Sequence, residues 1–561
     1  MRAARVELNP QDLEAHLERA RAVLGEEGYE KLKAAVQTLA YLTQLVENKD
    51  TTIQRLRQIL FGPSTEKTSQ VLKTEPDSAP ATPEANPATP EGNHSAGPPE
   101  KNLQEKVEPG PKSKGHGRNG ATRYSGATRI KVGHQALKWG DSCPECQKGK
   151  VYPQKTPALL VRLVGRAPIG GAVYELEKFR CNLCGEMFTA ESPEGVGSEK
   201  YDETSASMIA LLKYGSGLPF HRLERLQESV GIPLPASTQW EIVAETARGI
   251  EPAYQELIRQ AAQGEVLHND DTTMKILSLR RGNSQNEDLA ADPAAAASER
   301  SGVFTSGIVS TREGRQIALF FTGRKHAGEN LTDVLRKRAS ELGPPIQMCD
   351  ALSRNLSKDF EAIVANCLAH ARRQFVDVVK SFPQQCRYVL ETLREVYKND
   401  ALAKEQGMSA QQRLQFHQER SGPLMDPFEK WLQEQLSERR VEPNSGLGTA
   451  ISYMKNHWRK LTLFLRVAGA PLDNNICERA LKKVILHRKN ALFYRTLNGA
   501  RVGDIFMSLI HSAELNGTSP FDYLVALLRH HEEVAVTPAD WMPWNYQATL
   551  ARRTSDAALQ G

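Results

Sequence analysis

No apolar run in this chain reaches the ~18 residues that a membrane span requires. Its first residues (Met-Arg-Ala-Ala-Arg-Val-Glu) also lack the hydrophobic stretch of a signal peptide. Both absences argue against a membrane or secreted protein. Cysteine is scarce, with eight in 561 residues, too few for a disulfide scaffold. A large charge surplus is missing as well: the net charge is +5, which permits a nucleic-acid partner without establishing one. What remains is a globular composition, 40% apolar and 25% charged. At this length about three or four domains in a reduced, intracellular compartment are expected.

Composition and period divide the chain. Residues 1–62 are read as an N-terminal helical segment. Within it Leu32, Ala35, Leu39, Leu42, Val46, Lys49, Ile53, Leu56 and Leu60 step by three and four, the seam of a coiled coil. Residues 63–120 form a linker. Pro63 to Pro111 holds ten of the 31 prolines and few large apolar residues, so burial cannot offset its ordering entropy. From Lys112 to Lys138 there are seven Lys/Arg and no acid. Residues 121–200 are read as a zinc-binding domain. It holds two Cys-x-x-Cys pairs, Cys143-Pro-Glu-Cys146 and Cys181-Asn-Leu-Cys184. Their separation exceeds that of a compact finger, yet two such pairs can close a tetrahedral thiolate site for structural Zn²⁺.

Residues 201–262 are read as a helical region with a possible helix-turn-helix: a helix at His221–Ser229, a turn over Val230-Gly-Ile-Pro-Leu, and a second helix from Ala236 to Ala247. Gly231 suits a left-handed turn position, and Ser237 is a possible cap. From 264 the period changes to two. Val266–Asp271, Val303–Ser310 and Gln316–Thr322 are read as strands, with 282–301 as a hairpin insertion. A helix at 328–341, a strand ending at Asp350, another helix, and a strand at Ala362–Leu368 follow. This order implies a ribonuclease-H-like mixed sheet within a multidomain α/β protein. Its core is divided between 263–370 and 471–535, with a helical insertion at 371–470 and a tail at 536–561.

Three carboxylates, far apart in the chain, stand in contexts that suggest chemistry: Asp270, Asp350 and Glu478. Converged, they could hold two Mg²⁺ (or Mn²⁺) ions for in-line phosphoryl transfer. Val266, His268 and Asp270 share one strand face, and the neighbouring Asp271 points to the other. Each acid taken alone is more often a cap or turn residue than a metal ligand. Cys367-Leu-Ala-His370-Ala-Arg372-Arg373 reads as a core cysteine followed by a cationic face for DNA phosphate. Asn474, Glu478 and Lys482 are placed on one helix face. Arg479, Lys482, Lys483, Arg488 and Lys489 follow the acid directly, a pattern suited to phosphate contact. Lys112, Lys114, Arg118 and Arg123 in the basic stretch are the remaining expected DNA contacts.

These blocks together resemble the insertion-sequence-66-type transposases, the TnpC class. The resemblance lies in Leu267-His-Asn-Asp-Asp-Thr272, Gln347-Met-Cys-Asp350, Cys367-x-x-His-Ala-Arg-Arg-x-Phe375, Leu472-Asp-Asn-Asn-x-x-Glu-Arg-Ala480 and His487-Arg-Lys-Asn490. Leu56-Arg-x-x-Leu-Phe-Gly62 and the cysteine pairs extend it over nearly the whole chain. The resemblance implies a DDE-type recombinase with Asp270, Asp350 and Glu478 as metal ligands. It implies double-stranded DNA, both transposon ends and target, as partner. A homodimer or higher oligomer, accessory proteins of the same element, and a bacterial cytoplasmic, nucleoid-associated location are also expected. In relatives the first block usually reads Asp-Glu-Thr; here it is Asp270-Asp271-Thr272. The competing readings are a non-catalytic, zinc-dependent DNA-binding regulator derived from a transposase, and a ribonuclease-H-like nuclease acting on RNA hybrids.

Overall fold

The computed structural model describes residues 138–152, 167–180, 187–190 and nearly all of 199–560 except 280–301, with a few scattered positions besides. The expected coiled-coil seam, the linker, the basic residues Lys112, Lys114, Arg118 and Arg123, the cysteines Cys181 and Cys184, and the 282–301 insertion lie outside the described residues. The chain divides into two units, Ser78–Gly170 and the remainder (Met1–Asp77 with Gly171–Gly561).

In the smaller unit, residues 138–152 form a tight turn around the first cysteine pair. Ser142 bridges Lys150. Cys143 N donates to Gly149 O at 2.8 Å and Gln147 N to Cys143 O at 2.9 Å, while Gly149 N donates to Cys146 Sγ at 3.4 Å. The Gly149 and Lys148 backbone amides hold the Cys146 thiol below its usual range, and Cys143 adds to this. The first cysteine pair thus stands on one short hydrogen-bonded turn.

In the larger unit β1 (Lys178–Arg180) pairs antiparallel with β2 (Met187–Thr189). Three helices follow: α1 (Glu203–Ala210), α2 (Phe220–Ser229) and α3 (Ala236–Ala261). Between α2 and α3, Gly231 has φ +76°, the left-handed turn position expected of it. Ser237 does not cap α3: it stands inside the helix, the residue before the helix is Pro235, and Ala236 N donates instead to Glu224 Oε1 of α2 at 3.3 Å. The second helix also continues past the expected Ala247 to Ala261. Its extension is core, with Ile250, Ala253, Leu257 and Ala261 fully buried.

A five-stranded sheet carries the rest: β3 (Val266–Thr273), β4 (Phe304–Arg312), β5 (Arg315–Gly323), β6 (Ile346–Cys349) and β7 (Ile363–Asn366). The spatial order is β5-β4-β3-β6-β7. β3, β4 and β5 form an antiparallel meander, and β6 and β7 join parallel to β3. One helix, α4 (Ala327–Leu335), connects β5 to β6. Among the described residues no α-helix links β6 to β7, contrary to expectation: the 3-10 turn Ser353–Asn355 forms there instead.

The insertion is helical, as expected: α5 (Leu368–Val378), α6 (Pro383–Glu405), α7 (Ala410–Arg420), α8 (Gly422–Ser437) and α9 (Gly446–Leu461). It shares one apolar core with the sheet, in which Met348 and Ala365 pack with Leu368, Phe375, Leu393, Phe428, Met454 and Leu472. The chain then returns through α10 (Asn475–Ala491) and closes with α11 (Leu497–Leu515), α12 (Pro520–Arg529), α13 (His531–Val536) and α14 (Tyr546–Gln560).

Two contacts fix α10 and α11 on the sheet. A Cβ on Gly307 of β4 would lie 3.0 Å from Leu481, so glycine there admits close approach of α10. On the outer edge, α11 and the residue after it present Asp504, Ser508, Ser512 and Asn516. These accept from the backbone amides of Thr322 (2.7 Å), Phe320 (3.0 Å), Ala318 (3.0 Å) and Gln316 (3.3 Å) of β5. Four residues of helix rise match two residues of strand, about 6 Å against about 6.8 Å.

Candidate active site

Asp270 and Asp271 are neighbours with different surroundings. Alternation along β3 puts His268 and Asp270 on one face and Asp271 on the other. On the first face His268 Nδ1 meets Asn474 Oδ1 at 3.1 Å, immediately before α10. On the second, Asp271 pairs with His326 Nδ1 at 2.8 Å and Arg354 Nη2 at 3.4 Å, with its side chain only 2% exposed. Asp271 is thus tied to the start of α4, while Asp270 faces α10.

Asp350 follows the last residue of β6, which is parallel to β3. Asn355 joins the two acids: its Nδ2 donates to Asp350 Oδ1 at 2.6 Å and to Asp270 Oδ1 at 3.1 Å. The Asn355 carbonyl in turn accepts from Asn269 Nδ2 and Gln347 Nε2, each at 2.7 Å. Sequence reasoning misses Asn355. Its only signal is an amide residue shortly after an expected acid.

Glu478 stands in the first turn of α10. A staple sets the start of that helix: Leu368 N donates to Leu472 O at 3.0 Å, and Asn474 N donates to Cys367 Sγ at 3.2 Å. Cys367 itself continues the β6–β7 ladder through its amide to Cys349 O. The second strand pair, α5 and α10 therefore meet at one point. His370, in the first turn of α5, has its Nδ1 3.6 Å from Glu478 Oε1.

Like charges gather in this corner. Burial first, and then the Asp350 charge, push the Asp270 carboxyl up to about 6, while the hydrogen bond from the Asp271 amide and the nearby His370 oppose and the Asp271 charge adds. Burial pushes the Cys367 thiol up to about 12. The carboxylates are hard oxygen donors of the kind Mg²⁺ and Mn²⁺ prefer. Two acids held by one amide, with Asp270 raised by burial and by the charge beside it, suit a divalent ion.

The expected DNA contacts separate into groups. Arg373, Arg479, Lys482 and Lys489 are exposed, and His370 and Arg372 are half-buried. Lys483 pairs with Glu514 at 3.1 Å. Arg488 donates to Thr272 Oγ1 at 3.1 Å and Thr273 Oγ1 at 2.7 Å, tying α10 to the end of β3. Asn474 is a correction: it is fully buried, and its amide is spent on Asn269 O at 3.1 Å and on His268. It is a rivet between β3 and α10, with no surface for DNA.

Fold and site together define a mixed α/β protein with an acidic corner where two parallel strands, an inserted helix and a returning helix meet; among the described residues the ligand-type side chains whose donor atoms lie together there are Cys367, His370 and Glu478. The chain belongs to the IS66 family of transposases: the family model described as "Transposase IS66 family" matches residues 200–502. Relatives in Sinorhizobium fredii are described only as uncharacterized proteins. With y4jD the chain is 28% identical over 355 residues, 61% of this chain and 66% of the relative. With y4hP it is 24% identical over 406 residues, 68% and 69%. With y4qI it is 24% identical over 358 residues, 62% of each. No solved structure matches. Among the described residues no helix is long and apolar enough to cross a membrane.

Proposed function

We propose that the protein is a DNA transposase of a bacterial insertion sequence that cleaves and joins DNA by a DDE mechanism, with Asp270, Asp350 and Glu478 as ligands for two Mg²⁺ or Mn²⁺ ions. The observation that carries this reading is the convergence of Asp270 and Asp350 on Asn355, with α10 bringing Glu478 to the same sheet face. The strand order β5-β4-β3-β6-β7, a meander extended by two parallel strands, supports a ribonuclease-H-like core.

When bound, such ions would activate the attacking hydroxyl and stabilise the leaving oxygen of a phosphodiester. The chain's own residues do the rest. Asp270, Asp350 and Glu478 supply hard oxygen donors, and Asn355 fixes the first two relative to each other. Arg373, Arg479, Lys482 and Lys489 form an exposed cationic surround for the DNA backbone. Cys143 and Cys146 are proposed as half of the ligands of a structural Zn²⁺ site, with Cys181 and Cys184 as the other half. Terminal inverted repeats and target DNA are the proposed substrates, handled by a dimer or higher oligomer with or without accessory proteins, in the bacterial cytoplasm.

The test is strand transfer on DNA carrying the element's terminal repeats. Asp270→Asn, Asp350→Asn and Glu478→Gln each should reduce transfer at least about 10³-fold, since each removes a ligand of the proposed ions, while binding to the ends survives. Asp271→Asn should instead lower stability through its lost pairing with His326 and Arg354. Full transfer by the Asp350→Asn protein would sink the proposal.

A further inference from the structure

Cys367, His370 and Glu478 form a constellation that borders the acidic corner but has a different donor chemistry. Their Sγ, ring nitrogen and carboxylate oxygen all lie within 4.8 Å of one another. His370 Nδ1 is buried and has no hydrogen-bond partner. Glu478 Oε1 is 3.6 Å away from it, within ion-pair range but beyond a hydrogen bond. A buried nitrogen left in this state is unfavourable until something takes its lone pair or proton. In a tetrahedral zinc site, with nitrogen and oxygen ligands at about 2.0–2.1 Å, neighbouring donors stand about 3.4 Å apart. The separation that fails as a hydrogen bond is close to an edge of that tetrahedron.

The backbone holds these groups ready. Cys367 immediately precedes α5 and His370 is its third residue, while Glu478 is in the first turn of α10. The Asn474 amide donates to Cys367 Sγ at 3.2 Å, the kind of outer contact that orients a metal-bound sulfur.

We propose that Cys367, His370 and Glu478 bind a single thiophilic divalent cation of the Zn²⁺ class, at a site separate in chemistry from the carboxylate site for Mg²⁺. Sulfur and imidazole donors select borderline-soft ions, whereas Mg²⁺ prefers oxygen. Binding releases the Cys367 thiol proton to solvent, and the resulting thiolate is stabilised by the ion. Three protein ligands leave one coordination position open. Because the ion draws on Glu478, zinc at this site competes for a ligand of the proposed magnesium site. The binding claim itself does not depend on DNA cleavage.

Equilibrium dialysis of the full chain against Zn²⁺, with metal content measured per chain, tests it. The wild type is expected to hold one Zn²⁺ more than either His370→Gln or Cys367→Ser, and a double Cys143→Ser, Cys146→Ser protein is expected to retain that equivalent. His370 is only half-buried, so its variant keeps the fold even if the buried Cys367 substitution does not; circular dichroism checks both. A roughly 100-fold excess of Mg²⁺ should leave the extra Zn²⁺ in place. Wild-type stoichiometry in a folded His370→Gln protein overturns the proposal, and so does full displacement by Mg²⁺. Loss of strand transfer on its own bears on the DDE reading, not on this one.

Discussion

Asn355 shows how a residue with no chemistry of its own can set an active corner. Its amide spans two carboxylates and its carbonyl is itself held by two side chains. Asn355→Ala should leave the fold intact but lower Mg²⁺ or Mn²⁺ affinity about 10–100-fold, as loss of an outer contact to metal ligands commonly does; isothermal titration would read it. Asp504 gives a second single-residue prediction. Burial pushes its carboxyl up to about 7, against two hydrogen bonds from Thr322. A folded-state value above the unfolded one means that stability falls as pH rises from about 4 to about 7, then levels off. Asp504→Asn keeps an acceptor for Thr322 N and has no charge to bury. It should therefore match the wild type near pH 4 and exceed it at pH 8 by on the order of 2–4 kcal/mol, measured by urea unfolding at both values. At this scale the sequence is legible where alternation decides: Asp270 and Asp271 face opposite sides as the period of two requires. Asn474 is not legible, because nothing local tells a buried amide from an exposed one.

At the scale of elements, the strands and long helices follow their periodicities, and the misses lie where tertiary hydrogen bonds override local pattern. Between Asp350 and β7 the sequence reading places a helix. The backbone instead turns so that the Asn355 carbonyl reaches Asn269 and Gln347. Ser237 has the composition of a cap, but a carboxylate from α2 takes the α3 terminus. The α11 ladder is the converse case. Asp504, Ser508, Ser512 and Asn516 recur at helical spacing as polar residues in an apolar helix, and their role becomes visible only beside a strand edge. That edge would otherwise expose unpaired amides. Ser508→Ala leaves the Phe320 amide unpaired in the core and should cost about 1–3 kcal/mol. Ser512→Ala should do the same at Ala318, and the double variant should cost roughly the sum, read as a lower urea midpoint at an unchanged slope.

For the whole molecule, the long stretch between Asp350 and Glu478 reads in sequence as an interruption, and the structure gives it a second use. The insertion and the sheet share one apolar core that includes Leu472, so the helices that delay the third acid also hold the chain just ahead of the helix carrying it. The acidic corner then has a cost that the whole larger unit bears. Asp270 is raised by burial and by Asp350, so the metal-free protein holds like charges together. Asp350→Asn should therefore stabilise the metal-free chain, by on the order of 1 kcal/mol. Divalent ions should do for the wild type what the substitution does for the variant. At Mg²⁺ or Mn²⁺ concentrations about 100 times the dissociation constant, each bound ion contributes about 2.7 kcal/mol, a rise in Tm on the order of 5 °C for a unit of this size. The Asp350→Asn protein should start higher and respond little. Differential scanning calorimetry with and without Mg²⁺ or Mn²⁺ tests both halves. A wild-type chain whose Tm is indifferent to both ions would show that Asp270, Asp350 and Glu478 do not form a metal site in the free protein.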